Sequence, residues 1–182
     1  MNVSTESDDS TARTRTSCAE QRAEHLSMLG SKNVLELCVG PSLKTLEVQY
    51  SKHGIQVTGN DLEPRWKSYY PKGKWIIGDA RLVSTKGFDT VVVAPPLSKG
   101  CSGSREGSLC IDEVFPSYYD FLELDTKNLV LVLPGRTLSV KEDRKQLHKL
   151  LACVAKKNIW TNVEVVPLVD KVTKYVDVYA SR

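Results

Sequence analysis

Three apolar segments of the sequence each end at a residue that could bind a ligand. Gly40 follows the segment VLELCV, Asp61 follows IQVTGN, and Asp79 follows WIIG. In an open parallel sheet, ligands bind beyond the carboxyl ends of the strands, so residues directly after strands are the first candidates for a site. A glycine there lets backbone N–H groups approach a ligand, and a carboxylate accepts hydrogen bonds from hydroxyl or amino groups.

The spacing of these residues favours a nucleoside as the ligand. Asp61 lies 21 residues after Gly40, about where a carboxylate reaches the ribose hydroxyls of a bound nucleoside. Dinucleotide sites use further glycines to admit a pyrophosphate, but Cys38 and Ser42 stand where those glycines would fall. Asp79 is suited to accept a hydrogen bond from an adenine amino group. Two alternatives stay open: a plain turn at Gly40 without a ligand, and a helix cap by Asp61.

A fourth apolar segment, FDTVVV, is followed by Ala94, Pro95, Pro96 and Leu97. The two prolines have no N–H to donate and fix an extended backbone, so the carbonyl oxygens are left as free hydrogen-bond acceptors. Carbonyl oxygens without a hydrogen-bond partner cost free energy when they are buried, so this segment is also predicted to bind a ligand.

The elements that must position these residues alternate between strand-like and helix-like segments. Fully apolar runs such as VVV and LVLVL favour strands covered on both faces, as in a parallel sheet. A capping box of Ser139 and Glu142 predicts a helix that continues to Lys157. The predicted class is therefore α/β. The predicted strands are 33–39, 55–59, 75–77, 88–93 and 128–133, and the runs 160–166 and 172–179 predict a closing antiparallel hairpin.

The composition describes one globular domain. Of the 182 residues, 41% are hydrophobic and 26% are charged, which excludes collagenous, fibrous and wholly disordered chains. The net charge of +3 is too small to name a polyanionic partner. The longest apolar runs, such as 129–133, are far shorter than the roughly 20 residues of a membrane-crossing helix. Residues 1–17 are predicted as a disordered tail and 18–182 as a single domain.

The five cysteines are predicted to be reduced thiols, which indicates an intracellular, cytoplasmic protein. Their number is odd, and no two have the spacing of a zinc knuckle or a redox dithiol. Cys101 and Cys110 share one loop and could pair or hold a metal, but two ligands do not make a closed metal site. We therefore expect no metal.

Basic and aromatic side chains interleave between the second and fourth predicted strands. Such a mixture can hold phosphates and stack bases, or it can form a solvated loop that covers the nucleoside. The Gly- and Ser-rich loop 98–112 is a predicted lid. The interleaved residues are Arg65, Lys67, Lys72, Lys74 and Arg81 with Trp66, Tyr69, Tyr70 and Trp75.

Taken in chain order, these motifs resemble the S-adenosylmethionine-dependent methyltransferases with a Rossmann-like fold. VLELCVG is similar to the first motif of the family, Asp61 to its ribose-binding acid, and Asp79 with Ala80 to its adenine-binding pair. The resemblance implies a mostly parallel seven-stranded sheet in the order 3-2-1-4-5-7-6, with helices on both faces. It also implies S-adenosylmethionine as the cofactor, bound by Glu36, Cys38, Gly40, Asp61, Leu62, Asp79 and Ala80.

The segment FDTVVVAPPLS resembles the Asn/Asp-Pro-Pro-aromatic motif of the branch that methylates exocyclic amines in nucleic acids and glutamine amides in proteins. This implies a catalytic segment of Ala94, Pro95, Pro96 and Leu97, with Ala94 in place of the polar residue and Leu97 in place of the aromatic one. The stacking surface for a base would then come from Phe115, Tyr118 or Tyr119.

The implied function is methyl transfer to an amine nitrogen of DNA or RNA, a nucleic acid modification. The departures at Ala94 and Leu97 leave two alternatives open. One is a protein or small-molecule acceptor, and the other is a non-catalytic partner subunit that retains the fold. No target-recognition domain is predicted, so a partner protein could supply specificity.

Overall fold

A sheet of seven strands forms the centre of this computed structural model, which describes residues 14–95 and 118–182. The strand order is β3-β2-β1-β4-β5-β7-β6, as the family resemblance implied. The strands are β1 (Asn33–Leu37), β2 (Gln56–Asp61), β3 (Trp75–Ile77), β4 (Thr90–Val93), β5 (Asn128–Pro134), β6 (Asn162–Asp170) and β7 (Val172–Ser181).

The sheet is mixed, which corrects the expectation of a mostly parallel sheet. The strands β3, β2, β1, β4 and β5 pair in parallel, but β7 is antiparallel to both β5 and β6. The two strands β6 and β7 are also the longest, with 9 and 10 residues. They are joined through Lys171, whose φ of 62° allows a tight turn, and a tight turn can join only antiparallel strands.

The helices lie on both faces of the sheet. They are α1 (Thr16–Met28), α2 (Leu43–Ser51), α3 (Arg65–Tyr69) and α4 (Lys141–Lys156), with short 3₁₀ turns at Gly40–Ser42, Ala80–Leu82 and Gly135–Leu138. None of the helices in the described ranges has the length and apolar character needed to cross a bilayer.

Two local expectations about helix starts differ from the structure. Helix α1 begins at Thr16, so the end of the predicted tail is already helical. The capping box at the start of α4 is wrong, because the Ser139 hydroxyl donates to the Arg136 carbonyl at 3.2 Å. Ser139 closes the preceding 3₁₀ turn, and Val140 becomes the N-cap residue without a side-chain cap.

The alternation of side chains along β1 assigns each one to one of two apolar clusters. Leu35 and Leu37 pack in the cluster that contains Leu147 and Leu150 of α4. Val34 packs in the cluster on the other face, with residues of α1 and α2. A polar residue at an even-numbered position of β1 therefore lies under α1 and α2.

Candidate functional site

The chain leaves β1 through a turn with two left-handed residues. Cys38 has a φ of 58° and Gly40 has a φ of 54°. This conformation costs a non-glycine residue about 1 kcal/mol, so Cys38 is held under strain. A Cβ placed on Gly40 would meet no heavy atom of the described residues within 4 Å. Within the described part of the chain, the turn therefore presents its backbone to open space at the carboxyl edge of the sheet.

Asp61 at the end of β2 is bound directly to this turn. Its Oδ2 accepts the Gly40 N–H at 2.8 Å, and its Oδ1 accepts the Glu63 N–H at 2.9 Å. Burial raises the pKa of the carboxyl above its ordinary value of 3.8, against the lowering effect of the two backbone donors. Each carboxylate oxygen has a second lone pair, so the oriented side chain can still accept hydrogen bonds from ligand hydroxyls.

Asp79 follows the end of β3, after Gly78, which also has a positive φ (152°) and open space at its Cβ position. The Asp79 Oδ1 accepts the backbone N–H of Arg81 at 3.0 Å, and the Arg81 guanidinium pairs with Oδ2 at 2.5 Å. The Arg81 guanidinium lowers the pKa of Asp79 to about 2. Because both side chains are substantially exposed, a ligand can displace this ion pair at little cost.

The thiol of Cys38 lies close to both carboxylates. Burial, and then the negative charges of Asp61 and Asp79, raise the pKa of Cys38 to about 12. The thiol therefore stays protonated and is a small neutral group in the neighbourhood of the two acids. We refer to Cys38, Gly40, Asp61 and Asp79 as the rim, because the ends of β1, β2 and β3 bring these four residues together.

Two apolar residues that the sequence predicted at the site flank the carboxylates of the rim. Leu62 follows Asp61 and is 73% exposed. Ala80 follows Asp79 and is partly buried against the apolar cluster that contains α4. A carboxylate beside exposed apolar surface suits a ligand with a flat apolar body and polar edges.

Asn60 supports the rim, although no sequence motif had indicated a role for it. Its side chain is fully buried, and Nδ2 donates to the carbonyls of Ile76 at 3.1 Å and Gly78 at 2.9 Å. These two bonds connect β2 to the turn that carries Asp79. Its Oδ1 has no hydrogen-bond partner within the described residues. A polar residue in the last positions of a buried parallel strand was the available signal.

The structure places Glu36 away from the rim, although the sequence predicted that it contacts the cofactor. Glu36 shares the face of Val34 and is 1% exposed, and the Tyr50 hydroxyl donates to its Oε1. Burial raises the pKa of its carboxyl. The alternation along β1 is the physical reason, since it turns this side chain under α1 and α2.

Glu36 belongs to a buried network of polar side chains. Its centre is the ion pair of Arg22 with Asp177, with distances of 2.5 Å from Nε to Oδ2 and 2.9 Å from Nη2 to Oδ1. The Tyr179 hydroxyl also donates to Asp177 at 3.2 Å. We refer to Arg22, Glu36, Tyr50, Asp177 and Tyr179 as the buried network.

Part of the predicted catalytic segment lies beside the rim. The Ala94 N–H donates to the carbonyl of Leu37 at 3.1 Å, which places Ala94 next to the end of β1. The Ala94 methyl packs against the cluster under α1 and α2, and Pro95 is buried. Pro96, Leu97, Phe115, the predicted lid, Cys101 and Cys110 lie outside the described residues.

The two tyrosines expected to stack on a base lie against the core. Tyr118 is fully buried, and its hydroxyl donates to the carbonyl of Val132. Its predicted stacking role is therefore wrong, because the ring fills the apolar cluster that contains α4. Tyr119 packs against the same cluster, and burial together with the nearby Cys153 raises the pKa of its hydroxyl.

The basic side chains between β2 and β4 are largely engaged within the chain. The Arg65 guanidinium lies 4.1 Å from the Trp66 ring centre, the Lys74 Nζ donates to Gln56 Oε1 at 2.9 Å, and Arg81 pairs with an acid of the rim. This arrangement favours the interpretation of a loop that covers the site. Over residues 14–95 and 118–182, no three His, Cys, Asp or Glu side chains are placed to hold a metal ion.

Comparison with known proteins identifies the fold. No family model and no curated protein matches the sequence. Among solved structures, the methyltransferase domain of bacterial CtHen1-CN aligns with 92% of this chain and 98% of its own, at a TM-score of 0.64 and 13% identity. The catalytic domain of hMettl16, in complex with a 3′UTR hairpin, aligns with 94% of this chain and 73% of its own, at a TM-score of 0.64 and 11% identity.

A third similar structure is the plantazolicin methyltransferase BpumL in complex with SAH. It aligns with 92% of this chain and 82% of its own, at a TM-score of 0.58 and 11% identity. At such low identities the likeness establishes the architecture alone. The described residues thus have the α/β Rossmann-like fold that these methyltransferases share.

Proposed function

We propose that this chain transfers a methyl group from S-adenosylmethionine to an amine nitrogen of DNA or RNA. The observation that carries the proposal is the contact of Asp61 with the Gly40 N–H, beside open space at the carboxyl edge of the sheet. The strand order supports it, since the fold is that of methyltransferases, one of them solved with SAH. A fold alone does not carry an activity, so the rim must carry it.

The residues of the rim fit an adenosyl group. Asp61 has lone pairs for the ribose hydroxyls, and Asp79 can accept a hydrogen bond from the adenine amino group once Arg81 is displaced. Exposed Leu62 supplies apolar surface for the adenine ring. The open space at Gly40 admits the methionine part close to the backbone.

When bound, the cofactor would supply a methyl group on a sulfonium. Its transfer would form a carbon–nitrogen bond as the carbon–sulfur bond breaks, with the neutral thioether as the leaving group and one amine proton released to water. The chain contributes alignment of the acceptor and exclusion of water. The Ala94 side chain offers no hydrogen-bond acceptor. We assign the orientation of the amine to the carbonyl oxygens of Ala94 and Pro95, in the segment where the prolines have no N–H.

A nucleic-acid acceptor is supported by the proline-rich segment after β4 and by the hMettl16 domain, which was solved with an RNA hairpin. One observation favours a second candidate, a methyltransferase for a protein or small molecule. Ala94 provides only a methyl group at the position where the branch that methylates exocyclic amines and glutamine amides has a polar side chain. The same observation is compatible with a non-catalytic partner subunit that keeps the cofactor site.

The cofactor site is tested by calorimetric titration of S-adenosylmethionine into the wild type, Asp61→Asn and Glu63→Gln. Asp61→Asn removes a charged acceptor, so we expect the affinity to fall at least about tenfold. Glu63→Gln removes a neighbouring exposed charge and serves as the matched control, with an affinity within about twofold of the wild type. Equal affinities for all three proteins would contradict the assignment of Asp61.

The acceptor is tested by transfer of a labelled methyl group to separate pools of RNA, DNA, protein and metabolites. We expect the label in nucleic acid, as N-methylated bases. Label found only in protein or metabolites would instead establish the second candidate. Cofactor binding without transfer to any pool would identify a partner subunit.

A further inference from the structure

The outer surface of α4 carries a row of basic side chains. Lys141, Lys145 and Lys149 recur every four residues and therefore lie along one line of the helix. The positions opposite them, such as Leu147 and Leu150, are buried against the sheet. We call the outer surface the α4 basic face, and its exposed members are Lys141, Arg144, Lys145, Lys149 and Lys156.

The net charge of the whole chain is equal to the net charge of this helix. Five of the 25 basic residues and two of the 22 acidic ones lie in α4, so the rest of the chain carries 20 of each. One of the two acids, Asp143, is buried and pairs with Arg136 at 2.7 Å. The other, Glu142, lies at the flank of the face. The net charge of +3 therefore coincides with one surface.

The row of basic side chains does not stabilise the α4 helix. Like charges four residues apart destabilise a helix by about 0.2–0.5 kcal/mol per pair. Lys141, in the first turn, also opposes the helix dipole. The ion pairs of the described residues include none of the five side chains of the α4 basic face. A bound polyanion would offset this repulsion.

The position of α4 connects this face with the rim. The helix begins just beyond the carboxyl end of β5, after the turn Gly135–Leu138, and β5 is parallel to β4. Lys141 therefore lies at the same edge of the sheet as the rim, and Lys156 lies toward the opposite edge. A helix of 16 residues spans about 24 Å, which offers a track for several phosphates.

We infer that the α4 basic face binds the phosphate backbone of a nucleic acid and leads the strand to the rim. This inference rests on the proposed function and names the surface that holds its acceptor. Charge complementarity is the argument: five basic side chains lie on one exposed face, and nearly all non-specific affinity for nucleic acids comes from such contacts. The basic side chains between β2 and β4 are weaker candidates, since Arg65, Lys74 and Arg81 already have partners.

The test compares two triple variants with the same change of charge. The first is Lys141→Gln, Lys145→Gln and Lys149→Gln, which keeps the helix because glutamine and lysine have similar helix propensities. The second replaces three exposed lysines at the amino edge of the sheet, Lys32, Lys86 and Lys127, by glutamine. Binding of a labelled single-stranded RNA of mixed sequence is measured as a function of salt for both variants and the wild type.

We expect the α4 variant to bind the RNA about tenfold more weakly at low salt, and its salt slope to be smaller by about 2, as three lost phosphate contacts require. The amino-edge variant should match the wild type. Equal losses in both variants would show that only net charge matters and would overturn the inference, as would no loss in either.

Two further measurements separate this inference from the proposed function. The titration with S-adenosylmethionine and the transfer of labelled methyl are carried out on the same proteins. If cofactor binding and methyl transfer to RNA are normal but the α4 variant binds RNA as tightly as the wild type, the inference alone fails. If the α4 lysines control RNA affinity but no nucleic acid is methylated, the proposed function fails. If anionic lipid vesicles displace the RNA and bind more tightly, the face is a membrane surface and the inference is overturned.

Discussion

The rim and the buried network both contain carboxylates that lie in the central sheet or directly after one of its strands, but the surroundings of these carboxylates are opposite in character. Asp61 is the last residue of β2, and Asp79 comes two residues after the end of β3. Both side chains are partly exposed, and they accept hydrogen bonds mainly from residues nearby in sequence. Glu36 and Asp177 are covered by helices, and Asp177 binds Arg22, which is 155 residues away in the chain.

The two groups of residues differ in the hydrogen-bond acceptors and the space that they leave available to a ligand. A buried charge is costly unless it is paired and hydrogen-bonded, so the buried network is closed and its partners are internal. The rim keeps lone pairs, and none of the described residues fills the space beside Gly40, so both are available to a ligand. Changes in the buried network should therefore alter stability, and changes around the rim should also alter binding of the cofactor.

The largest expected effect comes from Arg22→Met. The substitution leaves Asp177 buried without its partner, and breaking one side of a buried ion pair costs about 3–5 kcal/mol. The matched control is Arg15→Met in the same helix region. Arg15 pairs with Asp170 at 2.7 Å but is 59% exposed, so its loss should cost less than about 1 kcal/mol. Urea unfolding of both variants measures the difference.

The comparison is sharpened by a second measurement on the Arg22 variant. Its folded fraction should bind S-adenosylmethionine with the affinity of the wild type, because Arg22 donates its hydrogen bonds to Asp177 of the buried network. The double variant Arg22→Met with Asp177→Leu removes both charges and should recover most of the lost stability. A large loss of cofactor affinity in the folded protein would show that the two regions are not separate.

An intermediate effect is expected for Asn60→Ala, which tests the support of the rim. The carbonyls of Ile76 and Gly78 lose their donor, which costs about 1–3 kcal/mol. The turn that carries Asp79 loosens, so cofactor affinity should fall as well. Thermal unfolding and calorimetric titration measure these two effects.

Asn128→Ala provides the control for Asn60→Ala. Asn128 is equally buried, donates to Thr90 Oγ1 at 3.2 Å, and also has an Oδ1 without a partner in the described part of the chain. It lies at the amino end of β5, away from the rim. We expect a similar loss of stability without a loss of cofactor affinity. Equal affinity losses in the two variants would deny Asn60 a role at the rim.

The sequence predicted the rim because its signals are local, whereas the strand order was implied by the family resemblance. A glycine or an acid directly after an apolar strand reaches the sheet edge whatever packs around it, as Gly40 and Asp61 show. Glu36 and Tyr118 were misplaced because their hydrogen-bond partners are set by the packing of other elements, which a local motif does not specify. The motif set the type of residue at position 36, but the packing of α2, which carries Tyr50, determined its hydrogen-bond partner.

The smallest effect, and the one that isolates Glu36, is the pH dependence of stability in Glu36→Gln. The charge of Arg22 is compensated by Asp177, so an ionised Glu36 would add an unpaired negative charge to the core. Burial accordingly raises the pKa of Glu36 in the folded protein above its ordinary value of 4.5. The groups around it are those of the buried network. The Tyr50 hydroxyl can donate equally to the glutamine oxygen, which keeps the packing.

A carboxyl whose pKa is raised on folding contributes stability that is complete below its unfolded pKa. The contribution is lost as the pH rises through the folded pKa. The wild type should therefore lose stability relative to Glu36→Gln when the pH rises from about 4.5 toward neutrality. Urea unfolding at a series of pH values measures the difference between the two proteins. A difference that is constant with pH, or that grows in favour of the wild type, would mean that Glu36 is ionised and compensated by Arg22. The buried network would then be one three-membered ion cluster.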